Sequence, residues 1–259
     1  MKKNALHPYS SENTHPGFSL NCAVFTLHEG KIKVLLGKPE FMIDDYWMLP
    51  GGFMFKEESA DEAAWRELEG FSGLSNIYMK QFYLFSDPKR TIIEQNAGIL
   101  KKNEMPEEAE NKWFLQRFLS LGYYGLVRYN EAQKALRPAK DMKLKWYNVK
   151  ELPPLYTDHE NIVKTALDTI RALLPVIPLC YELLPEKFTM YELRKIYENI
   201  LDRSFDRRNF QRKILLEGNI VQLDERKKGN AYNAPILYTF EKTANKNITS
   251  IWGEGTKVE

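Results

Sequence analysis

Arg207, Arg208, Asn209, Arg212 and Lys213 fall in one short stretch of the chain, and Arg226, Lys227 and Lys228 follow a little downstream. Arginine and asparagine are side chains that pair in two-pronged fashion with base edges, and lysines hold phosphates, so the chemistry on offer is recognition of double-stranded DNA. A solvated basic helix face is the plainer reading of the same residues. The formal net charge of +2 does not argue for nucleic acid by itself, because it is clustering that decides binding. Cys22 and Cys180 are far apart and lack metal-ligand spacing, so neither a disulfide framework nor a zinc site is expected.

The basic stretch needs a helix to present it. Thr189 followed three residues later by Glu192 is a capping box, and Leu193, Ile196, Tyr197, Ile200 and Leu201 recur behind it at helical spacing. Asp202 to Phe205 makes a short break, Asp206 can cap a second helix with an apolar stripe of Phe210, Ile214 and Leu215, and Gly218 can end it. Two helices so joined are a helix-turn-helix. Ile220–Leu223 and Ile236–Phe240 then read as strands around a polar loop, the wing, which carries Lys227 and Lys228. Arg207, Arg208 and Asn209 thereby fall in the first turn of the second helix, where base contact is geometrically easiest.

Upstream, Phe18–Leu27 and Lys31–Leu36 read as a hairpin about His28, Glu29 and Gly30, and Trp47 to Gly52 ends in a tight glycine loop. Ser59 and Glu62 form a capping box that opens a helix through Ala63, Ala64, Trp65 and Leu68. Strands follow around Ile77–Phe85, Phe118–Tyr129 and Leu144–Val149, with a helix from about Glu160 to Leu174, the alternation of a layered α/β domain. The chain has 259 residues, 43% of them hydrophobic and 28% charged, which suits two globular domains. No apolar run approaches the roughly 20 residues of a membrane span, and Met1–Pro16 has no apolar segment of a secretory leader, so the expectation is a cytoplasmic protein. The domains are read as a flexible tail over 1–16, an α/β domain over 17–176, a winged helix over 177–243 and a tail over 244–259, divided at Pro175 and Pro178. The stretch 87–117 is too long for an ordinary connection of roughly 4–6 residues. It is an insertion, either a solvated excursion or a lid over a ligand pocket.

Gly52, Glu58, Arg66, Glu67, Leu68, Gly73 and Leu74 match, at the right spacing, the Nudix signature of glycine, five residues, glutamate, seven residues, then Arg-Glu-aliphatic-x-Glu-Glu-x-Gly-aliphatic. The domain therefore resembles the Nudix family, which implies an α/β/α sandwich with a mixed sheet. In Nudix hydrolases three carboxylates spaced i, i+3 and i+4 on one helix face hold the magnesium ions that neutralise a diphosphate and activate water. Here those positions are Glu67, Gly70 and Phe71. A single carboxylate remains, and no catalytic residue, metal or cofactor is expected. Gly52, Glu58, Arg66, Glu67 and Gly73 read as structural, with an ion pair pinning the glycine loop to the helix. Residual metal binding through ligands borrowed from elsewhere is the alternative.

A Nudix-like domain followed by Tyr181, Leu183, Leu184, Pro185, Phe188 and Thr189, then by Arg207–Phe210 and by Ala234, Pro235 and Tyr238, resembles the Nudix-related transcription regulators. These include regulators of NAD metabolism and arabinose-responsive regulators. The chain leans toward the sugar-responsive branch, and the long insertion departs from both. The resemblance implies a non-enzymatic regulator: a homodimer binding a DNA operator, its degenerate Nudix domain sensing a sugar or sugar-derived metabolite. A Nudix hydrolase of a nucleoside diphosphate derivative with a non-standard metal set is the second reading, and a winged helix that binds protein rather than DNA the third.

Overall fold

A computed structural model describes residues 9–105, 112–174, 179–227 and 234–241. Its elements run β1 (Thr14–His28), β2 (Lys31–Pro39), β3 (Gly51–Phe55), α1 (Ala60–Ser72), β4 (Tyr78–Phe85), α2 (Ile93–Lys102), β5 (Leu119–Leu126), α3 (Tyr129–Ala135), β6 (Met142–Asn148) and α4 (His159–Leu173) in the first part of the chain. β7 (Phe188–Thr189), α5 (Met190–Ile200), α6 (Arg207–Leu216), β8 (Ile220–Arg226) and β9 (Ile236–Phe240) complete it. Packing divides the chain between Thr169 and Ile170, inside α4. The expected division at 176/177 falls in 175–178, outside the described residues.

β1 organises the first unit. Glu29 and Gly30 turn the chain with positive φ, and β1 folds back on β2 with Phe25 opposite Val34. Its earlier half pairs on the same side with β3, Leu20 opposite Gly52, while its other side runs parallel to β5. The sheet order is β4-β5-β1-β2-β6 with β3 also on β1, and the one parallel pair makes it mixed. Alternate residues of a strand face opposite ways, so Leu20, Cys22 and Val24 meet Ala63, Ala64 and Leu68 of α1 in a core closed by Leu35, Tyr123 and Trp146. Full burial of Leu20, Leu35 and Leu68 contributes roughly 1.5–3 kcal/mol apiece.

One expectation for this unit changes, and one of two alternatives falls. Tyr9 to Pro16 is not a frayed tail. Thr14 opens β1, and the Tyr9 ring packs on Phe53 and Phe55 at centroid distances of 5.1 and 5.7 Å. The 87–117 insertion is not a solvated excursion either: Ile99, Leu100, Met105, Trp113, Phe114 and Phe118 form a second core with Met42. Phe53 joins it at 4.9 Å from Trp113 and 5.2 Å from Phe118. Residues 106–111 lie outside the description.

In the second unit Thr189 caps α5 through its side chain and Glu192 reciprocates, as the sequence predicts. Leu193, Ile196 and Ile200 of α5 are buried with Phe210 and Ile214 of α6, and Phe210 meets Tyr197 edge-on at 5.3 Å. Leu215, expected in that stripe, is 38% exposed and Leu216 80% exposed. One residue past Ile214 is a rotation of about 100° on a helix, enough to leave the buried face. A two-residue strand that the sequence reading missed, β7, pairs with β9 and makes a three-stranded sheet, β7-β9-β8. Among the described residues no helix is long and apolar enough to cross a membrane.

Candidate functional site

The glycine loop and α1 meet over one carboxylate. Ser59 caps α1 and forms the full capping box with Glu62. That start fixes the helix so that Glu67, about two turns inside it, lies beneath β3, where a Cβ on Gly52 would collide with the Glu67 carboxylate. A side chain at Gly52 would have to displace the Glu67 carboxylate, and one at Gly51 would strike the Leu20 carbonyl of β1. Glu58 accepts the Phe55 amide at 2.7 Å and the Arg66 Nε–H at 2.9 Å. Arg66 also donates to the Phe53 carbonyl at 2.8 Å and to Glu67, and its guanidinium lies 4.2 Å from the Phe55 ring centre. The Tyr9 hydroxyl donates to the same Glu67 oxygen at 2.6 Å. Gly52, Glu58, Arg66 and Glu67 are thus brought together. Gly73 sits at the far end of α1 as its left-handed C-cap, φ 76.

The charges follow from this geometry. Burial pushes the Glu67 carboxyl up, against the lowering pull of Tyr9 and Arg66. For Glu58 burial is outweighed by the Arg66 and Phe55 hydrogen bonds, and the acid lies below the ordinary carboxylate range. Burial also opposes the Arg66 charge, but the two glutamates raise its pKa above the usual value.

A magnesium pair does not fit these residues. Glu58 and Glu67 are engaged by Arg66, and Glu67 by Tyr9 as well. Gly70 is exposed, and the Phe71 ring is buried on Gly37 of β2, where a Cβ would strike it. Among the described residues no three His, Cys, Asp or Glu side chains are grouped to hold a metal ion. A hard dication needs several oxygen ligands, and here the available acids serve an arginine.

The other side of the loop is held from α4, by residues the sequence reading did not single out as a site. His159 Nδ1 accepts the Leu49 amide at 3.0 Å, and burial first, then the charge of Arg90, lowers its pKa to about 3. Arg90, the first buried residue of the insertion, is bonded by two nitrogens to Asp158 at 3.0 and 2.9 Å and by the third to the Phe118 carbonyl at 2.9 Å. Tyr156 donates to Asn96 of α2, and the Thr157 amide donates to Gln95 at 3.2 Å. The insertion is therefore clasped by polar bonds as well as by its apolar core. A neighbouring Asp158-His159 pair was visible in the sequence, but its partners lie some 70 to 110 positions away.

In the second unit Asp206 accepts the Asn209 amide at 2.9 Å and caps α6. Arg207, Arg208, Asn209, Arg212 and Lys213 are all exposed, while Phe210 and Ile214 turn inward. Among them only Arg212 and Asn209 touch, at 3.4 Å. Lys227 is different: its ammonium pairs with Glu192 at 2.6 Å, while the other Glu192 oxygen holds the Thr189 amide at 2.8 Å. The α5 cap thus anchors the base of the wing. Lys228 lies outside the described residues.

Residues 180–240 match the family model of the NrtR DNA-binding winged helix domain. A curated relative, described as the ADPR responsive transcriptional repressor NtrR of Acinetobacter baylyi, is 22% identical over 222 residues, 84% of this chain and 79% of that protein. Shewanella oneidensis NrtR, solved with a 27mer DNA, superposes with a TM-score of 0.64 at 19% identity over 88% of this chain and 95% of that one. A MutT/nudix family protein from Enterococcus faecalis gives 0.63 at 18% identity over 92% and 90%. These matches establish the fold that the sequence implies, a Nudix α/β/α sandwich followed by a winged helix. The resemblance to the Nudix-related transcription regulators is borne out.

Proposed function

We propose that this chain is a ligand-responsive DNA-binding regulator, with α6 as the helix that reads DNA and the Nudix unit as a receptor rather than a hydrolase. The observation that carries the reading is the state of the side chains on α6. Four cations and an asparagine stand exposed, on a helix whose inward face is fixed by Phe210 and Ile214. Such a helix can enter a major groove with its first turn at the base edges. The match of the same segment to a DNA-binding winged helix supports it.

For the receptor role the support is the glycine loop. In place of metal ligands it has an arginine hydrogen-bonded to two acids, so the loop is held without an ion. The A. baylyi relative is described as responsive to ADPR, which makes ADP-ribose the first ligand to test and pentoses or sugar phosphates the next. A ligand acts only by binding the DNA-competent and incompetent states unequally, and couplings of about 1–3 kcal/mol are typical. We read the working form as a homodimer on a two-fold operator, because helix-turn-helix proteins commonly pair half-sites about one turn apart.

The test begins with selection of preferred sequences from a random duplex pool, followed by fluorescence anisotropy. Arg207→Ala and Arg208→Ala are each expected to weaken binding by about 1–3 kcal/mol and relax one base position if they read guanine. A folded double variant that binds the selected site like the parent protein would overturn the reading of α6. A thermal-shift series with ADP-ribose, pentoses and sugar phosphates tests the receptor, since a ligand specific to the folded state raises the melting temperature.

A further inference from the structure

We propose that the rim of the first unit formed by the end of α3, the loop after it and β6 is a second DNA-contacting surface, taking the phosphate backbone without regard to sequence. Lys134, Arg137, Lys140, Lys143 and Lys145 are all exposed there. None of the five has a carboxylate partner among the described residues. Arg137 spends its guanidinium on the carbonyls of Lys134 and Leu136, both at 2.8 Å, which closes the end of α3 and leaves its charge uncompensated. Lys145 lies 4.7 Å from the Tyr147 ring centre, which holds the ammonium in place without neutralising it. Other cations are neutralised by acids, as Lys38 is by Asp45, Lys187 by Glu225 and Lys195 by Glu198. Among the described residues α6 carries a comparable run of cations without a carboxylate partner.

β6 is the last strand of its sheet, and lysines are a common means of keeping edge strands from pairing with other chains. That accounts for Lys143 and Lys145. It does not account for Lys134, Arg137 or Lys140, which precede the strand. It also leaves unexplained why Lys143 stands directly opposite Lys38 of β2, a like-charge pairing that disfavours the sheet. Lys143 and Lys145 are two positions apart on a strand, so they share a face at a spacing of about 7 Å, enough for each to take its own phosphate. The complementary partner is a polyanion, and the basic α6 on the same chain makes duplex DNA the one that fits.

The proposal rests on the DNA-binding reading of α6, and one experiment separates them. The full chain and a Lys140→Gln, Lys143→Gln, Lys145→Gln variant are titrated with a labelled random-sequence duplex and with the selected site over a range of salt. The variant is expected to bind both duplexes more weakly, with the slope of log K against log salt reduced by about 0.9 per lost contact, two to three in all. Melting curves confirm its fold. An unchanged slope in a folded variant overturns the proposal, and so does loss of solubility with the slope retained, which would assign the lysines to edge protection. If the Arg207→Ala, Arg208→Ala variant keeps full binding while the lysine variant loses slope, the rim stands and the reading of α6 falls. The reverse pattern sinks the rim alone.

Discussion

Replacing His159 with asparagine would remove a titration without removing the hydrogen bond that the glycine loop needs. The imidazole is buried at the start of α4, and Nδ1 can accept the Leu49 amide only while it carries no proton. Burial and the neighbouring Arg90 hold its pKa at about 3, against about 6.5 for a histidine in the unfolded chain. The folded value is the lower one, so folding favours the neutral ring. Its contribution is complete above roughly pH 6.5 and is lost as pH falls from there toward 3. At 1.36 kcal/mol per pKa unit, the loss relative to pH 7 is about 2 kcal/mol at pH 5 and about 3 at pH 4. The amide oxygen of an asparagine can take the Leu49 N–H and does not titrate. Four of the five tryptophans, Trp47, Trp65, Trp113 and Trp146, lie in the first unit and none in residues 179–241, so urea titration followed by tryptophan fluorescence reports the stability of that unit. Between pH 7 and 5 the parent protein is expected to lose about 2 kcal/mol more than His159→Asn. Carboxylate titrations common to both proteins cancel in the difference. Parallel pH profiles would refute the argument, because they would mean that the ring is solvated or charged in the native state.

Three further outcomes are expected. Arg90→Ala and Asp158→Ala should each destabilise the first unit by about 3–5 kcal/mol, since either leaves a buried charge unpaired; a change under about 1 kcal/mol in urea titration would show that the clasp is solvated. Phe210→Ala should lower the stability of the second unit by roughly 3–5 kcal/mol, whereas Asp206→Ala, which removes only a helix cap, should lower it by about 1; equal losses by circular dichroism would contradict the burial of the ring. With magnesium or manganese the chain should hydrolyse neither ADP-ribose nor nucleoside diphosphate sugars, and turnover at roughly 1 per second or faster would restore the hydrolase reading.

What could be read in the sequence was what neighbouring residues decide. Both capping boxes, Ser59 with Glu62 and Thr189 with Glu192, and the Asp206 cap are three-residue relations. The glycine loop and the hairpin at Glu29–Gly30 are equally local. What escaped depends on partners far along the chain. Tyr9 looks like part of a polar tail until Phe53, Phe55 and Glu67 surround it. The insertion looks blurred because its polar residues are interleaved with Ile99, Leu100, Trp113 and Phe114, whose shared burial appears only when Met42 closes the cluster. Lys227 reads as a phosphate contact from its place on the wing, yet Glu192, 35 positions earlier, already holds it. Charge at a loop tip is legible from sequence; its compensation is not.

In the Nudix box the matching residues all serve the loop and the helix. Of the residues that match, Glu58 and Arg66 tie the loop to the helix, Gly52 lets the strand pass over Glu67, and Gly73 ends the helix with φ 76. Each would be required by this fold with no ion bound. The two positions that depart bear no such duty in the loop: one points to solvent, and the other fills the space above Gly37 with a ring. Folding therefore constrains the matching residues and also Phe71, whose ring packs on Gly37, while Gly70 is left exposed. The match is therefore accounted for by the architecture, and the question of hydrolysis turns on Gly70 and Phe71, which the magnesium and manganese assay tests directly.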